Sequence, residues 1–103
     1  MKWIETIELR STAARDFLKN IDLMALVTSL PKGCKPYRIV LLKHGTVKSD
    51  FCIHLMFDTN TVPRQGSEAG LWLKEMLRTA GLVSHRIWIE TISFEIGTNG
   101  NIS

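Results

Sequence analysis

Apolar and polar residues alternate from the first positions of the chain. In residues 2–10, KWIETIELR, Trp3, Ile7 and Leu9 share one side of an extended strand with Glu5. Ile4, Thr6, Glu8 and Arg10 fall on the other. The period then lengthens: Phe17, Ile21, Met24 and Thr28 follow a helical stripe flanked by Leu18, Ala25 and Val27, with no Gly or Pro inside. Ser11 or Thr12 can cap that helix through a hydroxyl, and Pro31-Lys32-Gly33 ends it after Leu30. Alternation returns at Tyr37–His44 and at Phe51–Asp58, and the linker Gly45–Asp50 is short enough for a hairpin.

Thr59–Gly66, with Asn60 and Pro63, reads as a loop. A second helix is predicted from about Ser67 to Ala80, with Leu71, Met76 and Leu77 among its apolar positions. Gly81 suits a left-handed residue just past its end. Residues 84–96 read as a long final strand whose two sides both look buryable, because Ile87 and Ile89 alternate with Trp88, Ile92 and Phe94. Residues 98–103 look like a frayed tail, leaving one domain over 1–97.

The order strand, helix, strand, strand, helix, strand predicts an α+β fold of the ferredoxin-like βαββαβ type. Right-handed crossovers then give a four-stranded antiparallel sheet with both helices on one face and the first and third strands in the middle. The helix-covered face should receive Phe51, Ile53, Leu55 and Phe57. The open face should carry Cys52, His54, Met56 and Asp58, with Ile4, Thr6, Glu8 and Arg10 from the first strand and Val40, Leu42 and His44 from the second. A solvated sheet face is ordinarily polar. Ile4, Val40, Leu42 and Met56 make this one apolar enough to expect a homodimer in which two sheets pack face to face around a small-molecule cavity.

That element pattern, with its mixed open face, resembles the dimeric α/β-barrel superfamily, which includes small monooxygenases of the antibiotic-biosynthesis type alongside binding and regulatory domains. The resemblance spans nearly the whole chain as a pattern of elements and matches no diagnostic catalytic motif. It implies a sheet-to-sheet dimer and carries no catalytic residue over.

Composition narrows the field without naming a reaction. With 103 residues, 45% apolar and 22% charged, the chain has the balance of an ordinary globular domain that needs neither metal nor disulfide staples. No apolar run is long enough to span a membrane, and the N-terminus lacks the pattern of a signal peptide, so a cytoplasmic protein is expected. Cys34 and Cys52 have no zinc or CxxC spacing and read as free thiols. Three histidines without regular spacing offer no metal site, and nothing calls for a cofactor.

His54 is the leading candidate for chemistry: a mid-strand imidazole on the face shared with Glu8 and, by alternation, Glu90 and Trp88. A neighbouring carboxylate would fix its tautomer, as a general base or ligand clamp requires. The competing reading is a histidine satisfied inside an interface. Cys52 would be a nucleophile only with a positive neighbour such as Arg10, and otherwise simply packs. His44 and His85 are expected near strand ends, with little claim to function.

Arg64-Gln65-Gly66-Ser67-Glu68-Ala69-Gly70 could hold an anion at a helix N-terminus. It equally fits Ser67 as an N-cap, with Ala69 and Gly70 allowing close packing. Lys32, Lys35, Arg38, Lys43 and Lys48 form a basic stretch on an expected edge strand, where such charges discourage unwanted pairing. Nucleic-acid binding is disfavoured, since the aromatic Phe51 and Phe57 belong to the helix side rather than to an open stacking platform. The leading expectation is a homodimeric, ligand-binding domain. A cofactor-independent monooxygenase- or isomerase-like enzyme using His54 comes second, and weak nucleic-acid binding third.

Overall fold

Strand pairing follows the alternation closely. The computed structural model describes residues 1–10, 28–30, 35–47 and 49–97. Four strands, β1 (Lys2–Arg10), β2 (Arg38–Lys43), β3 (Asp50–Asp58) and β4 (Leu82–Ile89), and one helix, α1 (Glu68–Arg78), make up the elements among them. The sheet is antiparallel with order β2-β3-β1-β4, so the first and third strands are central, as expected. This is an α+β sheet with one described helix. The first predicted helix falls almost wholly outside the described residues. Only Thr28 and Ser29, which are helical, and the buried Leu30 are seen from its end. The predicted tail, 98–103, also lies outside them.

The helix-side face forms the core. Trp3, Ile7 and Leu9 of β1 and Phe51, Ile53, Leu55 and Phe57 of β3 are buried there against Ala69, Leu73 and Leu77 of α1. Each large side chain so enclosed contributes roughly 1.5–3 kcal/mol of transfer free energy. Trp3 stacks on Phe57 with ring centroids 4.2 Å apart, and its indole N–H donates to the Thr59 hydroxyl at 2.8 Å. Burial at positions 69, 70, 73 and 77 gives α1 a single inward stripe. Glu68 in its first turn and Arg78 in its last suit the helix dipole.

The end of the final strand and the cap of the helix differ most from the sequence expectation. The final strand stops at Ile89 rather than running to 96. Glu90 N–H donates to the Lys2 carbonyl at 2.9 Å, and there the neighbouring strand runs out. Residues 91–97 continue exposed and outside the sheet, with Ile92, Phe94 and Ile96 in solvent. Gly81 is not left-handed; Gly66, with φ +105°, is the described residue with positive φ. α1 instead ends on a right-handed Thr79, whose hydroxyl donates to the Met76 carbonyl at 3.1 Å, while Ala80 N–H donates to Leu77 at 2.9 Å. Those bonds satisfy carbonyls that a left-handed cap would otherwise serve.

Candidate functional site

The register turns the open face into a lattice. Across β2-β3-β1-β4, Arg38, Met56, Ile4 and Trp88 stand in one row, and Val40, His54, Thr6 and Arg86 in the next. Leu42, Cys52, Glu8 and Ser84 form the third. The fourth places Asp50 against Arg10, and Arg10 against Leu82. The face is thus divided. One end is apolar, where Trp88 is 57% exposed beside the half-buried Ile4 and Met56. The other end is polar and concave: a cleft of about 350 Å³ lined by His54, Cys52, Glu8, Arg10, Leu42 and Asp50, among others.

Four of the six residues singled out as ligand candidates therefore meet. His54, Cys52, Glu8 and Arg10 share the cleft, whereas Trp88 and Glu90 do not line it. Glu90 follows β4 beside Lys2, two strands from His54 and about 13 Å further along the sheet. Of the two carboxylates expected to help His54, Glu8 shares its cleft and Glu90 does not. Among the described residues, the half-buried imidazole of His54 has no hydrogen-bond partner.

Cys52 sits in poor surroundings for a nucleophile. Burial pushes its thiol above the ordinary range, and the Glu8 carboxylate directly opposite pushes it further the same way, partly offset by a backbone hydrogen bond at Ile7. The positive neighbour that would activate it is engaged elsewhere, because Arg10 pairs with Asp50 at 3.3 Å. Cys52 is a free thiol; Cys34 lies outside the described residues. His44 turns out to organise the hairpin. Its Nδ1 accepts from the backbone N–H groups of Thr46 (3.1 Å) and Val47 (2.9 Å).

A second cluster lies on the opposite face and was not anticipated. Glu5 is fully buried among core residues. Its carboxylate accepts from Ser67 N–H at 3.1 and 3.2 Å and from the Ser67 hydroxyl at 2.6 Å, and it contacts His85 Nε2. The Ser67 hydroxyl in turn accepts from Gly70 N–H at 2.9 Å, the N-cap bond of α1. The helix N-terminus is thus occupied by a side chain of the chain itself.

His85 lies within β4 rather than near a strand end, and its side chain is 8% exposed. Gly66 and Gly70 make the arrangement fit, since a Cβ at either position would run into the Glu5 carboxylate. In sequence terms the signal was a lone glutamate in the apolar register of β1.

No protein-family model, curated protein or solved structure matches this chain.

What stands of the dimeric α/β-barrel resemblance is therefore a four-stranded antiparallel sheet with one helix among the described residues. The described residues include no group of three or more His, Cys, Asp or Glu placed to hold a metal, and no described helix is long and apolar enough to cross a membrane. Of the basic stretch, Lys35, Arg38 and Lys43 are described and exposed, the last two on the edge strand β2. Phe51 and Phe57 are buried on the helix side, which leaves the open face without stacking rings at the positions an RNA-recognition sheet uses.

Proposed function

We propose that this chain is a ferredoxin-like βαββαβ domain that pairs with a second copy through the apolar end of its open sheet face and binds a small molecule in the cleft at the polar end. The observation that carries the reading is the division of that face. Ile4, Met56 and Trp88 form an apolar row, and Ile92, Phe94 and Ile96 extend the same strand parity beyond the sheet, with Phe94 84% exposed. Such a surface is costly in water and is ordinarily covered.

A second copy is the occupant that fits. The apolar row is rimmed by charges of both signs, Arg38 and Lys2 against Asp58 and Glu90, so the same surface can face itself across a twofold axis. The segment after β4 leaves its own sheet and supplies apolar side chains for the opposing one. In the cleft, an unpartnered imidazole, a carboxylate and the apolar Leu42 suit a small ligand with both polar and apolar parts. The enzyme reading is weaker. It loses Glu90 as a partner for His54, and the thiol beside it is held in its neutral form.

Light scattering on the size-exclusion peak tests the pairing. The expected result is a dimer for the wild type and a folded monomer for Trp88→Glu; a monomeric wild type removes the proposal. The ligand half is tested separately by thermal shift against a small-molecule library. A compound that raises Tm in the wild type should lose its effect in His54→Ala, and an undiminished response in that variant places the ligand outside the cleft.

A further inference from the structure

A second cleft, of about 520 Å³, opens along β4. Arg64 and Gln65 reach it from the turn before α1, Lys74 from the flank of that helix, and His85 and Arg86 from β4. Among the described residues, no acidic side chain lines it. Elsewhere the chain neutralises its arginines where a carboxylate is in reach, as in Arg10–Asp50 and Arg78–Glu75. Among the described residues, Arg64, Lys74 and Arg86 have no ion-pair or hydrogen-bond partner.

Among the described acids near the cleft, Glu5 and Glu75 are engaged and Glu68 stands outside its lining. Glu5 is held by Ser67 and His85, Glu75 by Arg78, and Glu68 lines a different cleft. Three unpaired cations facing one concave space repel each other until an anion enters.

His85 adds a second, independent feature. It is more than nine-tenths buried, yet it lines this cleft, and its Nε2 is engaged by the buried Glu5 carboxylate. The imidazole is therefore fixed in orientation before any ligand arrives, unlike the flexible cations around it. We propose that this cleft binds a phosphoryl group, with Arg64 and Arg86 offering planar donor forks, Lys74 a point charge and Gln65 a neutral amide donor. The cations come from loop, helix and strand as one cluster around an open cleft. That arrangement favours a discrete phosphoryl anion over a long nucleic-acid backbone, which would need a stripe of charge. The site takes Arg86 from the open sheet face and shares no lining residue with the His54 cleft.

Titration of isotope-labelled full-length protein with sodium pyrophosphate, at ionic strength held constant with sodium chloride, tests it by amide chemical shifts. Saturable shifts are expected at Arg64, Lys74, His85 and Arg86. Lys74→Glu should weaken binding by about tenfold or more, with its circular dichroism spectrum unchanged. Lys35→Glu, an exposed cation just before the opposite edge strand β2, should leave the affinity as it was. A parallel sedimentation assay with phosphatidylcholine vesicles, with and without phosphatidic acid, distinguishes a soluble from a lipid-borne phosphoryl group. Binding in either arm that is lost in Lys74→Glu supports the site and assigns its source. The proposal is overturned if neither arm saturates, or if Lys35→Glu weakens binding as much as Lys74→Glu does.

Discussion

Glu5 and Glu8 lie on the same strand, three residues apart, and face opposite sides of the sheet. Glu5 is sealed in the core and satisfied by Ser67 and His85, whereas Glu8 is exposed on the open face at the rim of a cleft. One carboxylate has become structure and the other is left available. The difference is made by what the fold brings against each. A helix N-terminus and an imidazole meet Glu5, and a half-buried thiol meets Glu8. Residue type alone says nothing about which role a glutamate takes.

The contrast breaks most visibly at Glu5. Replacing it with Ala strips Ser67 and His85 of their shared acceptor and leaves polar groups stranded in the core, a change expected to cost about 3–5 kcal/mol. Urea unfolding checks it through a lower midpoint at an unchanged slope. Glu5→Gln keeps an acceptor for Ser67 and should lose distinctly less. A loss below about 1 kcal/mol in Glu5→Ala, the size of an average substitution, would mean the cluster is not a structural element.

Gly70 sharpens the same point at smaller amplitude. Its added Cβ in Gly70→Ala would overlap the Glu5 carboxylate, which cannot swing away without giving up Ser67 or His85. Helix propensity favours alanine, so a measured loss of about 1–3 kcal/mol would have to come from overpacking against the carboxylate. The diagnostic is a double-mutant cycle. In the Glu5→Ala background the cost of Gly70→Ala should shrink or vanish, giving a coupling of roughly 0.5–3 kcal/mol. Independent, additive losses would show that Gly70 is small for some other reason.

These two sites mark where sequence reading stops. Alternation alone told which residues of β1 and β3 face the helix, and the buried Trp3, Ile7, Phe51 and Leu55 are where the pattern puts them. Glu5 was visible as an oddity in that register. Its partners were not, because Ser67 and His85 lie 62 and 80 residues along the chain, and only tertiary packing brings them in. Periodicity also overran the final strand. Ile92, Phe94 and Ile96 keep the strand pattern, but hydrogen bonding ends where Lys2 ends, and the sequence of one strand does not report the length of its neighbour. On the open face, alternation grouped Arg10 with Cys52. The register then set Arg10 against Asp50 and Glu8 against Cys52, reversing the sign of the charge the thiol feels.

That reversal gives the smallest effect and the most specific one. In a Cys34→Ser background, alkylation of Cys52 followed against pH should reach half its limiting rate at a higher pH than for an ordinary exposed thiol, because reaction needs the thiolate. Burial is the larger cause of the raised pKa and the Glu8 charge the smaller. Glu8→Gln removes only the second: a negative neighbour disfavours the thiolate, so its removal should move the profile to lower pH. Because desolvation of the thiol remains, the profile should stop short of the exposed-thiol value. A profile that does not move would show that solvent screens Glu8 from the thiol, and a full return to the ordinary value would show that burial contributes nothing. The intermediate outcome is the one expected of a carboxylate that stands at the cleft free to act on what enters it, as Glu5 across the same strand cannot.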